Sequence, residues 1–350
     1  MLKDEILFVA WLAAFLSGVL ISMFLYLVVK KVIEINQEKR IQQYMDNIQT
    51  AIYNYLYKKK DSRLLIPDSK IKFNAIERLL THYATVIDGE GKKQIARLAD
   101  HLFRDRYHKL LSQNKWSTRM NVLYKIDSFK MRALSDVIKR MLKDDRITKE
   151  EKLIIFRCLA NTNGSEMSLW FEKVPVRFSI LEYRSILNRL DEIRFSEVVE
   201  AYTRYPENLK LAVIDMIGIQ KKLDFVSFLE DQLDHKDFEI RIRSMKAIGE
   251  IGFLSDSSVV EHFAFSKRWE ERLMATKIIG KTRVPNGLDL LGNLIKDPSW
   301  LVRSQAAKAF LSYTEGLERL YDIRFTSDDP FARDMASEWI GRGLEDDFSY

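Results

Sequence analysis

An aromatic residue stands three positions before an arginine at three evenly spaced places: Phe238 before Arg241, Trp269 before Arg272, Trp300 before Arg303. Arg333 continues the series without the aromatic, so the four arginines lie 31, 31 and 30 residues apart. Eight residues after them come Gly249, Gly280, Leu311 and Gly341. A period of this length implies units that cannot bury their apolar faces alone and must stack on their neighbours. That excludes most single-core folds.

Within each unit the spacing is helical. Ala275, Ile278 and Ile279 follow Arg272, and Ala306, Ala309 and Phe310 follow Arg303, at the 3–4 intervals of a buried helical stripe. Asp297-Pro298-Ser299 predicts a helix start just before Trp300. With 13 Gly and 6 Pro among 350 residues, and 30% charged residues, the composition favours helices, and no series of alternating strands is present.

The pattern Asp297-Pro298-x-x-x-Val302-Arg303-x-x-Ala306-x-x-Ala309 resembles the HEAT repeat, in the short variety of about 30 residues also found in phycobilisome lyases. Weaker copies lie at Asp237–Gly249, Trp269–Gly280 and Asp329–Gly341. The resemblance implies an all-α chain, a right-handed α-solenoid of helix pairs. It implies a binding surface and no particular activity.

Trp116-Ser117-Thr118-Arg119 repeats the signature 122 residues before Arg241, room for four intervals. Three degraded units are therefore expected between them. Lys210 and Gly218 mark one, each 31 residues before its counterpart. Helices at Thr148–Ala160 and Phe178–Leu190 are assigned to the others, with the register between residues 127 and 205 left open. The solenoid is expected over residues 115–343, in seven or eight units. An irregular joint is expected at Asn161–Pro175 and a frayed acidic tail at 344–350.

Residues 1–31 read as a membrane anchor. Ile6 to Val29 is 24 residues without a charge, with Trp11 and Tyr26 towards its ends, and about 20 apolar residues span a bilayer. A cleaved signal peptide fits poorly: Met1-Leu2-Lys3-Asp4-Glu5 is not net basic, and no small-residue site precedes Lys30-Lys31. Lys30, Lys31, Lys39 and Arg40 outnumber Lys3 across the span, so the C-terminal side is expected in the cytoplasm, with the N-terminus outside.

Charge is uneven along the chain. Residues 30–150 hold 27 Lys and Arg against 15 Asp and Glu, whereas residues 151–350 hold 28 against 33. The basic segment suits contact with anionic lipid; solvated helix faces account for it equally well. Residues 32–114 form a basic juxtamembrane helical region. Ile41, Tyr44, Ile48, Ile52 and Tyr55 make a stripe on its first helix, either a self-association seam or a face for the next helices. Tyr53, Tyr55 and Tyr57 beside Lys58-Lys59-Lys60 are weak grounds for nucleic acid, and the acidic C-terminal half argues against it.

Catalytic motifs are missing. Gly89-Glu90-Gly91-Lys92-Lys93 lacks the spacing and hydroxyl of a phosphate loop and reads as part of a turn. His101 and His108 are two helical turns apart, too far for a metal pair. Cys158 in its apolar run reads as a buried hydrophobe. No catalytic residue, cofactor or metal is expected.

The repeated residues have two readings. Arg119, Arg241, Arg272, Arg303 and Arg333 are expected to form a structural ladder, reaching acids of the neighbouring unit, with Asp297, Asp237 and Asp329 as candidates. A row binding phosphate or carboxylate is the alternative. Trp269 and Trp300 are expected to pack between units; with Trp116, they are otherwise a partner surface. The chain is expected to be a membrane-bound scaffold for another membrane or membrane-associated protein, in a setting such as a bacterial envelope, polysaccharide-synthesis or secretion complex. A ligand-binding sensor or enzyme, and a nucleic-acid tether, are the alternatives.

Overall fold

A computed structural model describes residues 2–161, 167–173 and 176–347, and its regular structure among them is entirely helical. By its internal contacts the chain divides into two units, Met1–Asn163 and Gly164–Tyr350.

The first unit holds α1 (Leu2–Lys58), α2 (Lys70–Val86), α3 (Glu90–Leu111), α4 (Trp116–Phe129), α5 (Ser135–Met141) and α6 (Lys149–Ala160). From Trp11 to Arg40, α1 is exposed on all sides; burial begins at Ile41. From there Ile41, Ile48, Ile52 and Leu56 are buried where α1 packs on α2 and α3. The stripe is thus an internal face, and Tyr44 fixes it further by donating to the Leu64 carbonyl at 2.7 Å. Ser69 caps α2 by accepting from the Lys72 amide, and Gly89, at a φ of +66°, makes the turn into α3, whose first turn is the rest of the phosphate-loop look-alike, Glu90 to Lys93. The boundary expected near residue 114 lies inside this unit, because α4 packs on both α2 and α3.

The second unit holds α7 (Met167–Lys173), α8 (Ile180–Leu187), α9 (Glu192–Glu200), α10 (Glu207–Ile219), α11 (Val226–Asp231), α12 (Phe238–Ile251), α13 (Ser258–Ala264), α14 (Trp269–Thr282), α15 (Gly287–Leu294), α16 (Trp300–Phe310), α17 (Gly316–Thr326) and α18 (Pro330–Asp347). Every second helix packs on the next: α8 on α10, then α12, α14, α16 and α18 in turn. The helices between them return the chain, so these six run the same way and their N-termini share one edge. From α10 to α18 the starts fall 31, 31, 31 and 30 residues apart.

Small residues set how closely the row packs. A methyl group added at Gly218 would meet the Ala247 Cα at 2.7 Å, and one at Gly280 the Ala309 Cβ at 2.8 Å. Gly249 is looser, facing Ile278 at 3.7 Å. A neighbouring backbone thus keeps glycine at 218 and 280, whereas a methyl at Gly341 would meet nothing within 4 Å.

Two expectations change. Part of the joint at 161–175 is the short helix α7, while residues 162–166 and 174–175 lie outside the described residues. The acidic stretch is not a separate tail up to Asp347, where α18 ends; residues 348–350 lie outside the described residues.

Gly218→Ala should lower stability by about 1 kcal/mol through overpacking, despite alanine's better helix propensity. Gly292→Ala, on α15 with nothing within 4 Å of the new methyl, should raise it. Urea unfolding of both variants checks the contrast.

Candidate functional site

Each arginine of the series sits in the first turn of its helix, and its commonest partner is backbone. Nη1 donates to the carbonyl six residues upstream in all five cases. Arg119 reaches Gln113 at 3.0 Å, Arg241 His235 at 2.8 Å and Arg272 Ser266 at 2.8 Å. Arg303 reaches Asp297 at 2.7 Å and Arg333 reaches Ser327 at 2.7 Å. These carbonyls lie in the segment before the helix, where no helical amide serves them. The guanidinium, with five donors in a rigid fork, ties that segment to the helix it precedes.

Three of the five also hold a carboxylate on the next helix in the row or in the segment just before it. Arg119 grips Glu151 with Nε and Nη2, at 2.7 and 3.2 Å, both side chains being almost wholly buried. Glu151 simultaneously accepts from the Thr148 amide, completing a capping box at the start of α6. Arg241 donates to Glu271 at 2.8 and 3.0 Å. Arg272 holds both oxygens of Asp297, Nη2 at 2.9 Å.

The expected acids are only partly the observed ones. Asp237 and Asp329 cap their own helices, accepting from the amides of Glu239 and of Phe331 and Ala332. Glu151 and Glu271 take the role because the third helical residue leans back over the helix start, towards the preceding arginine. Arg303 has no carboxylate partner among the described residues; its guanidinium lies 5.0 Å from the Phe331 ring centre, and its buried Nε is unpaired.

Burial pushes the Glu271 carboxyl up, but the Ser266 hydroxyl and Arg241 outweigh it and hold the group below its ordinary range. A depressed carboxyl stabilises the fold above its unfolded value and loses that contribution as pH falls through the lowered one.

The tryptophans are not buried between helices. Trp116, Trp269 and Trp300 are 47%, 39% and 53% exposed, each the first residue of its helix. A side chain at that position leans back past the helix start. Trp116 is tethered through Nε1 to the Thr148 hydroxyl at 3.3 Å. Phe331 on α18 is likewise exposed, while Phe238 is half-buried under the Arg268 guanidinium, 4.4 Å from its ring centre. In the second unit Phe238, Trp269, Trp300 and Phe331 therefore stand at the shared N-terminal edge of α12 to α18.

A second surface crosses the same helices. A groove of about 350 Å³ is lined by Lys246, Lys277, Lys281 and Lys308, with Met245 and Met274 beside them and Gly249, Gly280 and Ala309 behind. Lys246, Lys277 and Lys308 are 31 residues apart, five positions after each arginine, a regularity the sequence displays beside the arginines and aromatics.

Chemical centres are sparse. No cluster of three or more His, Cys, Asp or Glu able to hold a metal occurs among the described residues. His101 and His108 are exposed, and the Asp100 carboxylate accepts from the Arg132 and Ala133 amides. Cys158 is buried, its Sγ 3.6 Å from the Leu123 carbonyl.

No family model and no curated protein sequence matches the chain. Solved structures similar to it include an engineered protein at 15% identity, covering 79% of this chain and 80% of that one, with a TM-score of 0.26. Human deoxyhypusine hydroxylase in complex with glycerol is 12% identical, with 89% and 99% covered and a TM-score of 0.29. A second engineered protein is 13% identical, with 87% and 96% covered, at 0.18. TM-scores this low carry nothing about function.

Arg272→Ala leaves the buried Asp297 carboxylate without its cation and should cost about 3 kcal/mol. Arg303→Ala, which breaks no ion pair, should cost about 1 kcal/mol. Unfolding free energies rank the two. Glu271→Gln should also flatten the fall in stability below pH 4.5, the ordinary glutamate value, when unfolding is followed across pH 3–7.

Proposed function

We propose that the chain is a membrane-anchored scaffold, a HEAT-like α-solenoid that holds a protein partner on the cytoplasmic side. The observation that carries the reading is α1. It is one helix from Leu2 to Lys58, long and apolar enough to cross a membrane in its first half, exposed there, and packed into the folded body from Ile41 onward. Apolar side chains exposed in such a run are stable in hydrocarbon and costly in water. The absence of a break after Val29 favours an uncleaved anchor, and the lysines that follow it favour a cytoplasmic body.

The solenoid reading draws on the row from α8 to α18, the near-constant interval of its starts from α10 onward and the arginine clamp recurring in both units. Stacked helices of this type offer extended surfaces suited to proteins. Tryptophans are favoured where partners bury a large ring with one polar atom, which fits Trp269 and Trp300 as contact points. The anchor limits the choice of partner to membrane or membrane-associated proteins.

Anionic lipid enters this picture narrowly. Lys30 and Lys31 directly follow the apolar run, whereas Lys39 and Arg40 lie about 15 Å further along the helix, beyond the screening length of about 8 Å at physiological salt.

The protein should sediment with membranes, resist alkaline extraction and be released by detergent. Protease added to sealed inverted vesicles should digest the body, and protease added to right-side-out vesicles should leave it intact. A protein that alkali extracts, or a body cut from the outside, overturns the proposal.

A further inference from the structure

The lysine groove on α12, α14 and α16 is built differently from the rest of its unit. Residues 151–350 are net acidic, yet four lysines converge on one shallow concavity. All four are exposed, and among the described residues none of them has a carboxylate in ion-pair reach. Arg243 on the same helix shows the contrast, paired with Asp215 and Glu239. Glu250 is the one acidic residue lining the groove, so its ionisable residues sum to a surplus of three positive charges.

The arrangement is a ladder. Lys246, Lys277 and Lys308 occupy the same place on successive helices, and packed helix axes are about 8–10 Å apart. The outer two lysines are thus separated by roughly 18 Å, too far for one phosphate or one headgroup to meet all three. An extended peptide covers that distance in about six residues at ~3.3 Å each. The lining contains no aromatic residue on which bases would stack, which disfavours single-stranded nucleic acid. The half-buried Met274 supplies adaptable apolar contact between the charges, suited to peptide side chains.

We propose that this groove binds an acidic peptide segment of the protein partner, about six residues carrying at least three carboxylates, laid across α12, α14 and α16; the assignment rests on the scaffold reading. Lys246, Lys277 and Lys308 each meet one carboxylate. Lys281, one turn beyond Lys277, holds the chain against sliding. Gly249, Gly280 and Ala309 keep the floor low enough for the peptide backbone to approach.

The test uses the full chain in nanodiscs of neutral lipid, with a fluorescent ten-residue peptide of alternating Glu and Ala as probe. The peptide should bind, and the Lys277→Glu, Lys308→Glu double variant should bind at least about tenfold more weakly, with an unchanged melting temperature. The double Lys→Arg variant should retain binding. No binding to the wild type, equal binding to both proteins, or preference for a thymidine oligonucleotide or phosphatidylglycerol vesicles overturns the proposal. A photo-crosslinker placed at position 277 or 300 in native membranes separates the two readings. Crosslinks from 277 mapping to a segment with three or more Asp or Glu support the groove. Crosslinks from 300 alone, or from 277 to a segment without acids, sink the groove and leave the scaffold standing. Crosslinks to no protein from either position sink both.

Discussion

The bond from an arginine guanidinium to the carbonyl six residues before it is the contact on which the repeated architecture depends. A helix that starts abruptly after a short loop leaves carbonyls in that loop with no helical donor. In a stack, the loop lies against its neighbours, and an unserved carbonyl costs more there than in water. The arginine serves it from within the same helix, whatever follows in the next one. This explains why Arg303 and Arg333 persist without an acid to pair with, and why Glu151, Glu271 and Asp297 come from different places when an acid is present. The carboxylates join helix to helix; the carbonyl bond makes each helix start.

Much of this was legible in the chain. The interval, the helical spacing after each arginine and the proline and serine starts fix where α12 to α18 begin. The stretch between residues 127 and 205 was not, because the side chain at the arginine position changes while its place does not. On α8 the matching residue is Tyr183, whose hydroxyl donates at 3.3 Å to the Val176 carbonyl, seven residues upstream. A phenol doing the work of a guanidinium cannot be found by looking for arginine. On α6 the matching residue is Lys152, and on α10 it is Lys210, which lies over the Tyr202 ring.

The tryptophans show a different limit. Period alone does not say whether a side chain at a helix start turns inward or projects past the end, since both give the same spacing. The backbone decides it, through the backward tilt of the Cα–Cβ bond. The lysines five places after the arginines had the opposite fate: their period was plain, but charge on a helix reads as solvated surface until packing places three rungs in one groove.

The unbroken α1 has a mechanical consequence. Between Lys30 and Arg40 it is exposed, a rod of about 16 Å joined to α2 near its end by the Arg78–Glu38 ion pair, with no glycine or proline to act as a hinge. A 10° tilt of its apolar half would move Ile41 sideways by roughly 3 Å, as lever arithmetic on that helical rise requires. Because α2 and α3 grip the same helix from Ile41 onward, such a displacement enters the core of the first unit instead of being absorbed by a flexible linker. With α1 as the proposed anchor, the first unit is aimed, not merely tethered.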